Sequence, residues 1–394
     1  MKNTLRLSIS LIALGLSTTS LAIASEQADS ITSAIIGGKT SLALRYRYEY
    51  VDADNGTREA NASTLRTRLT YNSLAYQHLS GHLQMDNLSK VYSGAYNDGS
   101  GGEEAVVKDP IYTEINEAYI DYAAPENTLL RYGRQRVNLD NQRFIGGVGW
   151  RQNEQTYDAF AIVNSSLPDT TILLANVYNV NTITGGNING NNHQLYNISN
   201  TSIKGLKLTG YFYALKDISD TYGLRTTGKH ALNQDITLLY TAEFAKQQTN
   251  NAAKNDTHYT NLEAGLAVSG VTTKLSYELQ SSDKGVASFK TPLGTNHGFN
   301  GWADMFLSTP ASGLEDKFIT ISSKLLGPKI SIAYHQFDSD IGSINFGSEF
   351  DLAVNKKFTE NYSGLFKVAN FSEGDVSGGK KDTAKVWLQL VAKF

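Results

Sequence analysis

The chain has 394 residues, a formal net charge of −3 and no cysteine. With 35 basic and 38 acidic residues, its charge balance gives no whole-protein argument for nucleic-acid binding. Without cysteine the protein has neither disulfide bonds nor thiolate metal sites. Its stability must therefore come from other sources, above all from extensive backbone pairing.

Residues 1–24 have the pattern of a secretory signal peptide. Lys2 and Arg6 precede an apolar core of about ten residues, and the small-residue run Ala22-Ile23-Ala24 follows. Such a core is too short to cross a bilayer as a retained helix. We therefore predict cleavage after Ala24, which changes the formal charge from −3 to −5 by removing Lys2 and Arg6. No later stretch approaches the run of about 18 apolar residues of a transmembrane helix.

The mature chain shows strict period-two alternation, which is typical of β-strands exposed to two different environments. In its first such segment, one parity is apolar or aromatic and the other is mostly charged. The two sets are Leu42, Leu44, Tyr46, Tyr48 and Tyr50 against Ala43, Arg45, Arg47 and Glu49. The same pattern returns at residues 65–72, 236–244, 274–280 and 330–335. In a membrane barrel the apolar parity faces lipid and the charged parity faces a wet lumen.

Short turn signals alternate with long polar stretches along the chain, as at Ser269-Gly270 against residues 89–110. Short turns at one end and long loops at the other are the arrangement of outer-membrane barrels. Counting segments predicts an all-β, transmembrane, antiparallel up-and-down β-barrel of about eighteen strands, each roughly ten residues long. We assign residues 25–40 to a short N-terminal periplasmic segment and residues 41–394 to the barrel, in the bacterial outer membrane.

The last segment alternates to the end of the chain and closes on Phe394. It resembles the terminal strand by which outer-membrane proteins are recognised for assembly. The expected partners are therefore outer-membrane lipid, the barrel-assembly machinery, which would bind this strand, and small hydrophilic or anionic saccharide solutes. Nucleic acid is not an expected partner, and no cofactor is expected.

A barrel of about eighteen strands is too wide to fill with its own side chains, so it should enclose an aqueous channel unless loops plug it. Passage of solutes is therefore the default function. Arginines clustered in a pore favour anionic solutes, and neighbouring carboxylates prevent one tight binding well. For any single arginine, an ordinary ion pair that stiffens the wall is the favoured interpretation, whereas for the group a selectivity role is an equally good one. The candidate pore-lining residues are Arg45, Arg47, Arg66, Arg68, Arg134, Arg136, Arg151, Glu117, Asp121 and Asp158.

Two stretches go beyond a generic barrel pattern. They comprise Gly133-Arg134-Gln135, Arg143-Phe144-Ile145-Gly146, Trp150-Arg151-Gln152 and Tyr157-Asp158-Ala159, and later residues 296–306 with Gly313-Leu314-Glu315-Asp316. In these residues the chain resembles the alginate export family of outer-membrane channels. The resemblance implies a monomeric eighteen-strand barrel with an arginine-rich constriction that passes an anionic polyuronate outward, with loops as gates. It also implies that Arg134, Arg151 and Asp158 are family motif residues.

Residues 284–316 are long for a hairpin loop. They hold His297, Trp302 and Asp304, which we name as candidates for a loop constriction. Two interpretations stay open, an inward-folded constriction or plug and an ordinary extracellular loop.

Three other classes of function are compatible with parts of the pattern. A general diffusion porin needs only the barrel. A structural barrel would need a lumen filled by bulky side chains or by a plug, whereas the lumen parities are rich in Arg, Glu, Ser and Thr, which favours water. An enzymatic rim site lacks a Gly-x-Ser-x-Gly elbow and a third partner for His78 and His82, so no enzyme is expected. No metal-binding motif is present either.

Overall fold

The computed structural model describes residues 27–92, 94–188, 192–325 and 327–394. In this described part of the chain, eighteen long antiparallel strands form one sheet. In chain order, β1 to β18 are Lys39–Ala53, Ala60–Asn72, Leu79–Lys90, Tyr112–Ala124, Thr128–Gln135, Thr156–Asn164, Thr170–Asn181, His193–Asn200, Leu206–Leu215, Ser219–Ala231, Ile236–Thr249, Asp256–Val268, Val271–Gln280, Leu314–Ser323, Lys329–Asp338, Asn345–Lys357, Tyr362–Glu373 and Thr383–Lys393.

Each strand pairs with the next one along the chain, and β18 pairs with β1 to close the sheet. The closing register places Tyr46 opposite Leu390 and Arg47 opposite Gln389. Closure leaves no unpaired strand edge, which a chain in lipid requires because no water is there to bond exposed backbone groups. The predicted all-β up-and-down barrel of about eighteen strands is confirmed.

The period-two pattern assigns each strand residue to one wall of the barrel. On β1, Arg45, Arg47 and Glu49 point inward and are buried, whereas the intervening tyrosines are partly exposed on the outer wall. Elsewhere, outward-facing Leu224 and Leu275 are 62% and 63% exposed. In a membrane these outer side chains contact lipid. The described part of the chain contains no helix long and apolar enough to span a membrane.

The two ends of the barrel differ in their connections. At one end, which we call the short-turn end, turns of two to six residues join the strands. The tightest is Ser269-Gly270, where φ is 47° and 84°, the two positive values of a type I′ turn. At the other end, the long-loop end, residues 91–111, 136–155, 182–192 and 281–313 form the longest connections. In outer-membrane barrels the short turns are periplasmic and the long loops extracellular.

The N-terminal segment lies against the short-turn end. A six-residue helix, Ile31–Ile36, is capped by Ser30. Its Ala34 carbonyl accepts a hydrogen bond from Leu74 N at 3.0 Å. The barrel begins at Lys39, two residues before the predicted boundary. The predicted signal peptide lies outside the described residues, and the periplasmic location of residues 25–40 stays a prediction.

Candidate functional site: a loop-filled lumen

Two loops fold back into the barrel from the long-loop end. They are the β5–β6 loop (residues 136–155) and the β13–β14 loop (residues 281–313). They contact each other through backbone hydrogen bonds of 2.9 Å from Gly146 N to Leu293 O and from Thr295 N to Gln142 O. Both loops reach the middle of the barrel. The β5–β6 loop binds Arg45 of β1, and the β13–β14 loop binds Lys367 of β17. Each of these two residues lies near the midpoint of its strand. The lumen is therefore much narrower than the barrel.

One arc of the inner wall, from β6 to β12, is apolar and aromatic. The two loops lay Phe144, Ile145, Phe289 and Leu293 onto this arc. The ring of Phe144 lies 5.2 Å from that of Tyr259 and 5.7 Å from that of Phe289. Burying each such side chain contributes about 1.5–3 kcal/mol, so this arc anchors both loops. Its inward members include Tyr157, Ala159, Ala161, Leu173, Ala175, Val177, Leu195, Tyr211, Tyr213, Ala245 and Tyr259.

The opposite arc is charged, and Arg45 lies at its centre. The Arg45 guanidinium donates from Nε to Gln152 Oε1 at 2.7 Å and from Nη1 to Gly149 O at 2.9 Å. It also donates to the Arg151 carbonyl oxygen. All three acceptors belong to the β5–β6 loop and are uncharged, so no carboxylate directly neutralises this buried arginine.

Glu154 ties three arginines together beside Arg45. Its carboxylate lies 3.4 Å from Arg66 and 3.1 Å from Arg68, and it accepts from Arg136 Nε at 2.9 Å. Arg68 is also held by Asp86 at 2.7 Å. Burial alone would raise the pKa of Glu154, but the three arginines hold that pKa well below its usual value. Glu154 is therefore ionised at neutral pH and fixes the loop to β2.

Asp304 joins the two loops to each other and to the wall. It accepts from Arg151 Nη2 and from Lys385 Nζ, both at 2.9 Å, and lies 2.6 Å from His297 Nδ1. Arg151 also contacts both oxygens of Glu49 at 3.3 Å. Burial would raise the pKa of Asp304, but the hydrogen bond from His297 and the charges of Lys385 and Arg151 together hold it well below its usual value. One carboxylate thus links the β5–β6 loop, the β13–β14 loop and β18.

All three tryptophans of the chain surround this junction. The Lys367 ammonium lies 4.1 Å from the Trp150 ring centre, 4.0 Å from that of Trp302 and 5.1 Å from that of Trp387. It also lies 2.7 Å from His297 Nε2. Burial, the first cause, and the nearby cations lower the pKa of His297, so the imidazole is neutral and accepts from Lys367. Cation–π contacts of this kind are favourable when water is excluded.

A second group of buried charges lies between β13 and β16. Arg143 of the β5–β6 loop pairs with Glu278 at 2.7 Å, and His335 lies 3.0 Å from Asp316. The backbone N–H of Ala303 donates to Glu349 at 2.7 Å. Carboxylates outnumber cations here, so positive charge is concentrated on the other side of the lumen. Among the described residues, no group of His, Asp and Glu is suited to hold a metal ion.

Most of the predicted pore-lining residues come together in the charged arc or beside it. Arg45, Arg47, Arg66 and Arg68 contact the β5–β6 loop, which itself holds Arg136 and Arg151. Glu117 pairs with Arg136 at 3.3 Å. Asp121 lies lower in the lumen and binds Arg131 at 2.7 Å. His297, Trp302 and Asp304 lie in the inward-folded β13–β14 loop. That these residues determine selectivity or form a constriction stays a prediction.

Arg134 and Asp158 require a correction. They pair with each other at 2.9 Å, but on the parity of Tyr132 and Phe160, which are 60% and 40% exposed on the outer wall. Inward-facing Arg131 is three residues from Arg134, and residues an odd number apart on a strand face opposite sides. The pair therefore lies on the outer wall at the long-loop end, not in the pore.

Sequence reasoning missed Glu154, Lys367 and Lys385. The two lysines lie on the inward parity of β17 and β18, which includes Trp387, so strand alternation could have identified them. For Glu154, no such signal exists, because it lies in a loop whose partners on β2 are more than 80 residues away.

A closed barrel with an apolar outer wall and a loop-lined interior that has one charged arc defines an outer-membrane, porin-like channel. Its fold is similar to that of outer-membrane porins. Acinetobacter baumannii OccAB4 superposes with a TM-score of 0.74 at 12% identity, over 91% of this chain and 98% of that one. Pseudomonas aeruginosa OpdK, solved with vanillate, superposes with a TM-score of 0.72 at 14% identity, over 91% of this chain and 99% of that one. Pseudomonas aeruginosa OccD3 (OpdP) gives 0.68 at 16% identity over 92% of each chain.

The sequence identifies the family more narrowly than the fold does. Residues 39–281, more than half of the chain, match the model of the alginate export family. The protein belongs to the alginate export family, as the motif resemblance predicted. The search of curated proteins found no match.

Proposed function

We propose that the barrel is a loop-narrowed channel that passes hydrophilic anionic solutes along its arginine-rich arc. The observation that carries this proposal is Arg45. It is buried beside Arg47 and Arg66, and its hydrogen bonds go only to neutral acceptors. In the low dielectric of a narrow passage, such a charge, to which no carboxylate is bonded directly, attracts an anion over several ångströms.

The two loops support a selective channel over a general diffusion porin. They occupy the middle of the lumen, so solutes pass beside them or when they move. Buried ion pairs elsewhere on the arc leave few charges free, which keeps contacts with a passing anion weak and repeated, as conduction requires. Family membership supports an anionic saccharide, such as a polyuronate, as the solute class. Channel activity rather than catalysis is the proposed function.

The test is single-channel recording of the refolded mature chain in planar bilayers. We expect an anion-selective reversal potential in a KCl gradient and reversible block by added polygalacturonate. Arg45→Gln should shift the reversal potential towards zero or towards cation preference. The matched control is Arg58→Gln, which removes the same charge from an exposed loop at the rim.

The outcomes separate the alternatives. Conductance without anion preference would leave a general porin, and anion preference without block would exclude the polyuronate. Absence of conductance would indicate a structural barrel. If Arg45→Gln and Arg58→Gln changed the reversal potential equally, the assignment of Arg45 as the selectivity residue would be wrong.

A further inference from the structure

Lysines are concentrated on the inner wall near the short-turn end of the barrel. Seven strands place a lysine at one of the two inward positions nearest to that end. These residues, which we call the lysine collar, are Lys39, Lys207, Lys229, Lys274, Lys329, Lys357 and Lys393. Their strands, β9, β10, β13, β15, β16, β18 and β1, lie along one continuous arc of the barrel from β9 to β1.

Buried neighbours on each strand fix the inward assignment. Thr209 and Tyr211 are buried two and four residues beyond Lys207, and His335 and Phe337 are buried on the parity of Lys329. Two collar members contact other lumen residues directly. Lys274 pairs with Glu263 at 2.9 Å, and Lys207 lies 3.8 Å from Asp140 of the inward β5–β6 loop.

The remaining five lysines are exposed and form no ion pair with a described residue. They are Lys39, Lys229, Lys329, Lys357 and Lys393. At the corresponding inward positions of all eighteen strands there is one carboxylate, Asp121, and Arg131 already binds it. Other acids at this end, such as Glu126, Asp235 and Glu360, lie in the turns below. The mouth of the lumen therefore has a net excess of positive charge.

The long-loop rim differs, because exposed side chains of both signs are mixed there. Its acids include Asp52, Asp54, Glu59, Glu103, Glu373, Asp375 and Asp382, and its bases include Arg58, Lys216, Lys254, Lys284 and Lys381. Charge along the barrel axis is thus unequal at the two entrances.

We propose that the lysine collar is an anion-collecting vestibule, through which small multivalent anions enter the channel faster from the short-turn side than from the long-loop side. This inference rests on the proposed channel function and adds the side of entry. A lysine ammonium is a strongly hydrated point charge on a flexible stem. Such groups raise the local anion concentration and the rate of entry without forming a tight site. Because they are exposed, their effect weakens as salt rises.

The test measures block by citrate added to one side of a single channel. Because the chain has no cysteine, Asn251→Cys in the exposed β11–β12 loop, labelled with a membrane-impermeant thiol reagent, reports which side holds the long loops. The collar variant is Lys229→Gln/Lys329→Gln/Lys357→Gln. The control is Lys204→Gln/Lys324→Gln/Lys356→Gln, which removes three charges at the same end from turns and from the outer wall.

In the collar variant we expect the association rate of citrate from the short-turn side to fall about tenfold at low salt, a modest part of the range known for electrostatic steering. In the same variant, the association rate of citrate from the long-loop side should change less than about twofold. In the control triple variant, the association rate from either side should also change less than about twofold. Equal loss in both triples, or equal loss from both sides, overturns the vestibule. If the wild type conducts without anion preference, the proposed function fails first, so the two failures are distinguishable.

Discussion

Replacing Asp304 by asparagine should release the β13–β14 loop from the wall. The change keeps the shape but leaves Lys385 and one side of Arg151 without an anionic partner, inside a junction where Asp304 itself is only 5% exposed. Removing one partner of a buried ion pair costs about 3–5 kcal/mol. Arg151 retains Glu49 at 3.3 Å, so the lower figure applies. About 3 kcal/mol raises the undocked population more than about a hundredfold.

Tryptophan fluorescence reads this change directly, because Trp150, Trp302 and Trp387 all lie at the junction. We expect red-shifted emission in detergent for Asp304→Asn, together with larger or noisier single-channel currents. Asp283→Asn, in the same loop but near the rim, is the matched control. If the folded Asp304→Asn barrel shows wild-type emission and currents, the assignment of Asp304 as the link between loops and wall is wrong.

Three further predictions test other parts of the structure. Glu154 and Asp304 have lowered pKa values. Their contribution to loop docking is therefore complete above their ordinary pKa and is lost only as pH falls through the lowered pKa. Emission should stay constant from about pH 6 to pH 5, and a transition within that range would contradict this. Gly133→Ala should lower barrel stability by about 1–3 kcal/mol, because φ at Gly133 is 126° and an added Cβ atom would lie 2.3 Å from Ala118 O. Urea unfolding in detergent measures the loss of stability. The control is Gly149→Ala, where the nearest atom to an added Cβ is 3.8 Å away. Arg134→Gln should leave the reversal potential unchanged because the side chain lies on the outer wall, and a shift comparable to that of Arg45→Gln would return Arg134 to the pore.

The barrel could be predicted from sequence because the features that define it, strand alternation and turn spacing, are local in the chain. Alternation along each strand fixes which side chains face lipid, and the spacing of turns fixes the strand number. The same rule, applied residue by residue, separates Arg131 from Arg134. The error at Arg134 and Asp158 came from treating a run of arginines as one cluster, although the strand period divides that run between two walls.

The placement of the loops could not be predicted in this way. The contacts that hold them join residues far apart in the chain, such as Arg45 with Gln152, or Arg143 with Asn300. Polar loop sequences are compatible with solvent as well as with a wet lumen, so composition leaves both interpretations open. Only the folded barrel brings the charged arc opposite Glu154 and Asp304.

Each of the two loops has an apolar part and a charged part, as does the inner wall that it contacts. In the β5–β6 loop, residues 137–145 pack on the apolar arc, and residues 149–154 bind the arginines of β1 and β2. In the β13–β14 loop, Phe289 and Leu293 meet the apolar arc before Asp304 reaches Lys385. Apolar burial is not directional, whereas hydrogen-bonded ion pairs demand defined geometry. We infer that the apolar arc supplies most of the docking energy and the charged arc fixes the position. Weakening single ion pairs should therefore shift the loops without unfolding the barrel, which is the behaviour that a gated passage needs.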